Sequence, residues 1–167
     1  MRDDKVIFSS LLDGTTLHKD DICFEALGIL DELNAHLGVI RAQNSNYQQK
    51  AYLKDIQQVL MQISAYIADS YGETFMISPD DVSRLDAEID ALLSQYPTLT
   101  KLVIPGDNLY AAQIDIARTV ARRAERIMVA AHKKKPMAMD ALHFINKLSG
   151  YLFSLARLAE YLRQGVS

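Results

Sequence analysis

Four arginines, Arg118, Arg122, Arg123 and Arg126, fall within the stretch "IDIARTVARRAER" of a chain whose net charge is −3. Arg118, Arg122 and Arg126 step by four, so on a helix they form one row. A guanidinium donates two parallel hydrogen bonds to phosphate oxygens, and a row of them suits a triphosphate better than a single phosphate. The plainer reading is a solvated face with some intrahelical pairs. The acids within reach on that helix are Asp115, three before Arg118, and Glu125, three after Arg122. Two carboxylates do not neutralise four arginines, and spacing alone leaves both readings open.

Two smaller groups raise the same question. Asp31, Asn34 and Gly38 in "DELNAHLG" sit away from the apolar stripe of their segment. They read either as a wet face, or as an acid that positions an arginine beside a glycine that lets a backbone or ligand approach. Asn146 and Lys147 interrupt the most apolar segment of the chain, where a solvent-facing pair is the simpler account. No nucleophile–base pair stands out.

These residues need helices to hold them. Ile22, Ala26, Ile29, Leu33, Leu37 and Ile40 recur every three or four residues, which predicts a helix over about 20–42 with Asp20 and Asp21 in its first turn. Leu53, Ile56, Leu60, Ile63 and Ile67 predict a second over roughly 47–70. "SPDD" at 78–81 starts a third, capped by Ser78, which runs to about Tyr96 before Pro97. "TLTKLVIPGD" is an extended connector with a Pro-Gly turn. A fourth helix follows over about 108–132, ending in cations that suit the negative end of its dipole. A fifth runs over about 136–164 on Leu142, Ile145, Leu148, Leu152, Leu155 and Leu158. The expected fold is all-α, a five-helix up-and-down bundle with a short irregular N-terminal arm that is loop or β-like. A single domain over 1–167 is expected.

The bulk numbers narrow the function. The chain is 49% hydrophobic and 23% charged, an ordinary globular composition. Its pI near 5.8 argues against a general nucleic-acid or membrane-surface binder, so neither is expected as a partner. Cys23 is the single cysteine, which excludes an internal disulfide and a Cys-based zinc site. No signal peptide or membrane span is expected, and a cytoplasmic setting follows from that reading.

Three segments, "LGILDELNAHLG", "LVIPGDNLYAAQIDIARTVARRAER" and "FINKLSGYLFSLAR", together resemble the PduO-type ATP:cob(I)alamin adenosyltransferases. That family shows DELN, then LPGG followed by ARTVCRRAER, then YLNRLSDYLF, and the order and intervals agree over about residues 19–160. The resemblance implies a five-helix bundle and a homotrimer with active sites between subunits. It implies transfer of the 5′-deoxyadenosyl group of ATP, with Mg2+, to cobalamin reduced to cob(I)alamin. Asp31 and Arg118 match a family pair formed across the subunit interface. Arg122 matches an arginine that contacts ATP, and Asn146 an asparagine at the nucleotide. Arg123, Glu125 and Arg126 complete RRAER, with Glu125 a candidate for holding the arginines or the nucleotide. Lys19 matches a basic position in the family's "SKDD".

The loop motifs depart from that pattern. The family's ATP loop reads close to T-R-T-G-D-x-G-x-T, whereas this chain has "FSSLLDGTT". Asp13, Gly14, Thr15 and Thr16 align with the motif's end, but its threonine, arginine and first glycine are replaced. A glycine-rich segment before "KDD" is missing, LPGG is "IPGD", an upstream aromatic that helps remove the lower ligand of cobalt is Leu102, and the aspartate of RLSDYLF is Gly150. Two expectations follow: a transferase that holds ATP with a remodelled loop, or a paralogue that binds cobalamin or a nucleotide without transferring.

Overall fold

A computed structural model describes residues 6–69, 72, 76–100 and 102–164. Five helices carry the fold: α1 (Ile22–Gln43), α2 (Tyr47–Ala68), α3 (Pro79–Leu93), α4 (Leu109–Lys134) and α5 (Met139–Gln164). The predicted stripes are the buried ones. Ala26, Ile29, Leu33, Leu37 and Ile40 of α1 join Leu53, Ile56, Leu60, Ile63 and Ile67 of α2 in one core, closed by Ile145, Leu148, Leu152 and Leu155 of α5.

Helix ends follow their capping chemistry. Asp21 lies just outside α1 and accepts from the Cys23 N–H, so α1 begins after the two aspartates. Ser78 and Asp81 form a reciprocal capping box with Pro79 in the first turn of α3. That helix stops at Leu93, short of the expected Tyr96, and the Ser94 N–H closes its last turn. The fifth helix starts at Met139, not Pro136, because α4 continues to Lys134 and the turn between them needs residues 135–138. Two side chains hold that turn: His132 Nδ1 accepts from the Met137 N–H at 3.0 Å, and the Tyr66 hydroxyl from the Ala138 N–H at 2.8 Å.

Helix order in space differs from order in sequence. Helix α4 packs between α1 and α5, α2 packs on α1, and α3 packs on α5. Arg84 of α3 closes the ring against α2, pairing with Asp55 at 2.9 Å and stacking 4.5 Å above the Tyr52 ring. Helix α3, though it precedes α4 in the chain, packs on α5 and not beside α4.

The described part of the N-terminal arm takes the β-like form, a short hairpin. Phe8–Ser10 (β1) and Thr16–His18 (β2) pair antiparallel, with Ser9 opposite Leu17. Its turn is held by Asp13, whose carboxylate accepts from the Thr15 N–H at 2.8 Å and the Thr15 hydroxyl at 2.9 Å. Gly14 takes a φ of 83°, a conformation that glycine adopts without strain from a Cβ. Leu11 is buried, and the Leu12 N–H donates to the Ala68 carbonyl at 2.8 Å, which ties the hairpin to the end of α2.

Candidate functional site

The arginine row lies on α4 as its spacing predicts, but its members have different surroundings. Arg118 is half-buried, and its Nε donates to Asp115 Oδ1 at 2.7 Å, the intrahelical pair expected from the sequence. Arg122 and Arg126 are exposed and have no hydrogen-bond or ion-pair partner among the described residues. Arg123 turns toward α1 and meets Glu32 at 2.5 Å. Glu125 turns toward α5, where its carboxylate accepts from Asn146 Nδ2 at 2.6 Å. Arg122 and Arg126 therefore stand on an outward ridge between an α1-side pair and an α5-side pair, with both guanidinium groups open to a ligand. From Arg118 to Arg126 the row rises about 12 Å along the helix.

Glu125 holds Asn146 where the sequence left open a role with the arginines or the nucleotide. With one amide hydrogen given to Glu125, Asn146 retains its second amide hydrogen and its carbonyl oxygen as polar groups. Lys147, its neighbour, points elsewhere and pairs with Asp86 of α3 at 2.5 Å.

Within one chain Asp31 and Arg118 are not partners. Asp31 is exposed and lines a groove between α1 and α2 with Gly28, Asn34 and Met61. Asn34 and Gly38 are only partly exposed, because both also pack against α2. The Asn34 Oδ1 is buried without a partner, while Gln57 Nε2 donates to the Asn34 carbonyl at 3.0 Å and lies 3.6 Å from where a Cβ on Gly38 would sit. Asp13, Gly14, Thr15 and Thr16 sit together at the hairpin turn, and Lys19 is exposed just beyond β2. The hairpin packs at the end of the bundle where α4 finishes, and Leu11, Thr15 and Leu17 face Ala131 and Lys134 across a cavity of about 340 Å³. Lys134 also pairs with Asp21 at 2.5 Å, so the last turn of α4 is tied to the start of α1.

At the opposite end of α4 a second cavity, of about 870 Å³, opens between the connector and the end of α5. Leu102 stands fully exposed at its edge with Ile104, and Arg157, Glu160, Tyr96 and Asn108 line it. Asn108 caps α4 and also donates its side-chain amide to the Ala159 carbonyl at 3.0 Å. Arg157 is buried, bonded to Asp115 Oδ2 and to Glu160 at 3.0 Å. Burial pushes the Glu160 carboxyl above its ordinary value, and the adjacent guanidinium opposes that shift.

Sequence reasoning missed Arg157 and Glu160. A signal was present: Asp115 is a charge beside apolar positions of the fourth helix, and Arg157 interrupts "YLFSLARLA" in the fifth. Two charges on apolar stretches of adjoining helices call for each other.

A sequence profile described as cobalamin adenosyltransferase matches residues 8–159. The chain belongs to the cobalamin adenosyltransferase family. It is 38% identical over 156 residues to a corrinoid adenosyltransferase of Citrobacter freundii, covering 91% of this chain and 89% of that relative. It is 32% identical over 166 residues to the corrinoid adenosyltransferase of Bacillus subtilis, covering 95% of this chain and 83% of that relative. Among solved structures, a single-residue variant of the PduO-type ATP:corrinoid adenosyltransferase from Lactobacillus reuteri, complexed with cobalamin and ATP, superimposes with a TM-score of 0.88. That match is 30% identical and covers 98% of this chain and 94% of the other. As a cobalamin adenosyltransferase family member, the chain carries the five-helix bundle of these relatives, with the arginine row on α4.

Proposed function

We propose that this chain transfers the 5′-deoxyadenosyl group of ATP to cob(I)alamin, forming adenosylcobalamin and triphosphate. The observation that carries the reading is the pair of exposed guanidinium groups without partners among the described residues, Arg122 and Arg126, beside the Glu125–Asn146 contact in a member of this family. Cobalt(I) supplies the electron pair for the new Co–C5′ bond. The C5′–O bond breaks, its pair leaves with triphosphate, and cobalt rises formally from +1 to +3. Charge gathers on the leaving triphosphate, and preorganised cations stabilise charge that develops in a transition state. Arg122 and Arg126 fit that role, and in this reading the Asn146 carbonyl oxygen would accept from a ribose hydroxyl or the adenine amino group.

Magnesium enters this reading only as the partner of ATP. Among the described residues no three His, Cys, Asp or Glu side chains converge on one point. An ion travelling with ATP would take its ligands from phosphate oxygens and water, as magnesium commonly does.

The active unit in this reading is a homotrimer. Asp31 has no partner among the described residues, and Arg118 spends only its Nε on Asp115, so its two terminal nitrogens stay available for an aspartate of a second subunit. A cytoplasmic setting goes with the reading, since the substrate is ATP and Cys23 is a free thiol. No helix among the described residues is long and apolar enough to cross a membrane.

The test is anaerobic incubation of chemically reduced cob(I)alamin with Mg-ATP, followed by the adenosylcobalamin spectrum and its loss on illumination. Product supports a transferase that holds ATP with the remodelled hairpin. Cobalamin binding without product, beside an active relative, overturns the transferase reading. It would point to a binding protein, which the replaced loop residues Leu11 and Leu12 favour.

A further inference from the structure

Arg157 takes no part in the reaction outlined above, yet it is 3% exposed in an otherwise apolar stretch of α5. A buried ion pair is poor grounds for stability, because apolar residues of the same volume commonly serve as well or better. Its surroundings suggest another use. Asp115 divides its carboxylate between two arginines, Oδ1 accepting from Arg118 Nε and Oδ2 from an Arg157 terminal nitrogen. The other terminal nitrogen of Arg157 meets Glu160 at 3.0 Å, and its guanidinium lies 5.5 Å from the Phe153 ring centre. Two guanidinium groups and two carboxylates thus form one chain from α5 to the arginine row.

From this geometry we propose that Arg157 is a positioning residue for Arg118, acting through Asp115. With both oxygens engaged, the Asp115 carboxylate cannot turn without breaking a charge-assisted hydrogen bond. Arg118 is then held by its Nε alone, and its terminal nitrogens make no hydrogen bond to Asp115. Without Arg157, the buried Oδ2 loses its donor, and the nearest replacement is a terminal nitrogen of Arg118. Arg118 would close into a two-bond pair with Asp115 and withdraw from whatever it serves. The proposal rests on the reading of Arg118 as a site group; the positioning itself rests on the contacts alone.

The test uses Arg157→Lys, which keeps the charge among its two carboxylates but loses the planar fork. A second variant, Asp115→Asn combined with Arg157→Met, removes the buried charges together and guards against a fold failure in the first. The Nε–H signal of Arg118, followed by nitrogen-15 NMR without ligand, should be distinct and slowly exchanging in the wild type. It should move to the free-arginine position in the double variant and shift or broaden in Arg157→Lys, while the backbone amide spectrum persists. An Arg118 signal unchanged in both variants overturns the positioning. In the turnover assay, Arg157→Lys should lower kcat on the order of 100-fold, as a misplaced site group does, with KM for ATP little changed. The same change in an Arg118→Ala background should cost nothing further, since both act through one group. Independent, multiplying losses would mark a merely structural arginine and overturn the proposal. Wild-type turnover in Arg118→Ala would instead sink the site reading, which the NMR result does not depend on.

Discussion

The two ends of the α4 arginine row are held in opposite ways. At Arg118 the guanidinium is fastened to a buried carboxylate that a second arginine also grips. One to two turns further on, Arg122 and Arg126 stand exposed without partners among the described residues. Residue type and spacing are the same along the row, so the difference comes from what the neighbouring helix presents. Opposite Asp115, α5 supplies Arg157; opposite Glu125 it supplies Asn146, which engages the acid three residues beyond Arg122. A fastened cation suits an arrangement that must be preserved between turnovers. Open cations suit an anion that arrives and leaves.

The sharpest way to break this contrast is Asp115→Ala. It leaves Arg157 buried beside Glu160 alone and should cost about 3–5 kcal/mol of stability, read from urea unfolding midpoints. A loss under about 1 kcal/mol would mean the fastened end is not structurally different from a surface pair. The opposite signature is expected of Arg122→Ala. Turnover should fall on the order of 100-fold, as when one transition-state donor is removed, while thermal unfolding stays within about 0.5 kcal/mol of wild type. Normal turnover in that variant would remove Arg122 from the site.

The hairpin offers an intermediate case. Gly14→Ala places a Cβ on a residue at φ 83° and should cost about 1–2 kcal/mol of local stability. Its effect should appear in the thermal shift produced by Mg-ATP more than in the unliganded melting curve; an unaltered ATP shift would separate the hairpin turn from nucleotide binding. The smallest effect is expected at Arg123. Its pair with Glu32 is about half exposed on both sides, so Arg123→Ala should cost about 0.2–1 kcal/mol. Raising the salt concentration should erase that difference, and a salt-independent loss would show that Arg123 acts as more than a surface ion pair.

Much of the fold was legible because helices announce themselves by period. The stripes from Ile29 to Ile40 and from Leu53 to Ile67 are buried as the spacing requires. Ser78, Pro79 and Asp81 form the cap that "SPDD" suggests. Boundaries were less legible where they depend on partners far along the chain. The fifth helix waits until Met139 because Tyr66 and His132 occupy the backbone groups of the turn before it. The arm has no helical stripe and reads in sequence as loop or β-like; its turn is held by Asp13 and Gly14, and the tether from Leu12 to Ala68 fixes it on the bundle.

By itself the sequence determined the apolar faces, the row of arginines and the candidates Asp31, Arg118, Arg122 and Asn146, because local period and residue type suffice for these. Tertiary structure alone decided which charges are spent and which are free. Arg123 is spent on Glu32, Glu125 on Asn146 and Asp115 on Arg157, through contacts spanning 21 to 91 residues of sequence. No local pattern encodes such pairings. They depend on α4 lying between α1 and α5, an order that the chain takes only once its connectors allow non-neighbouring helices to meet.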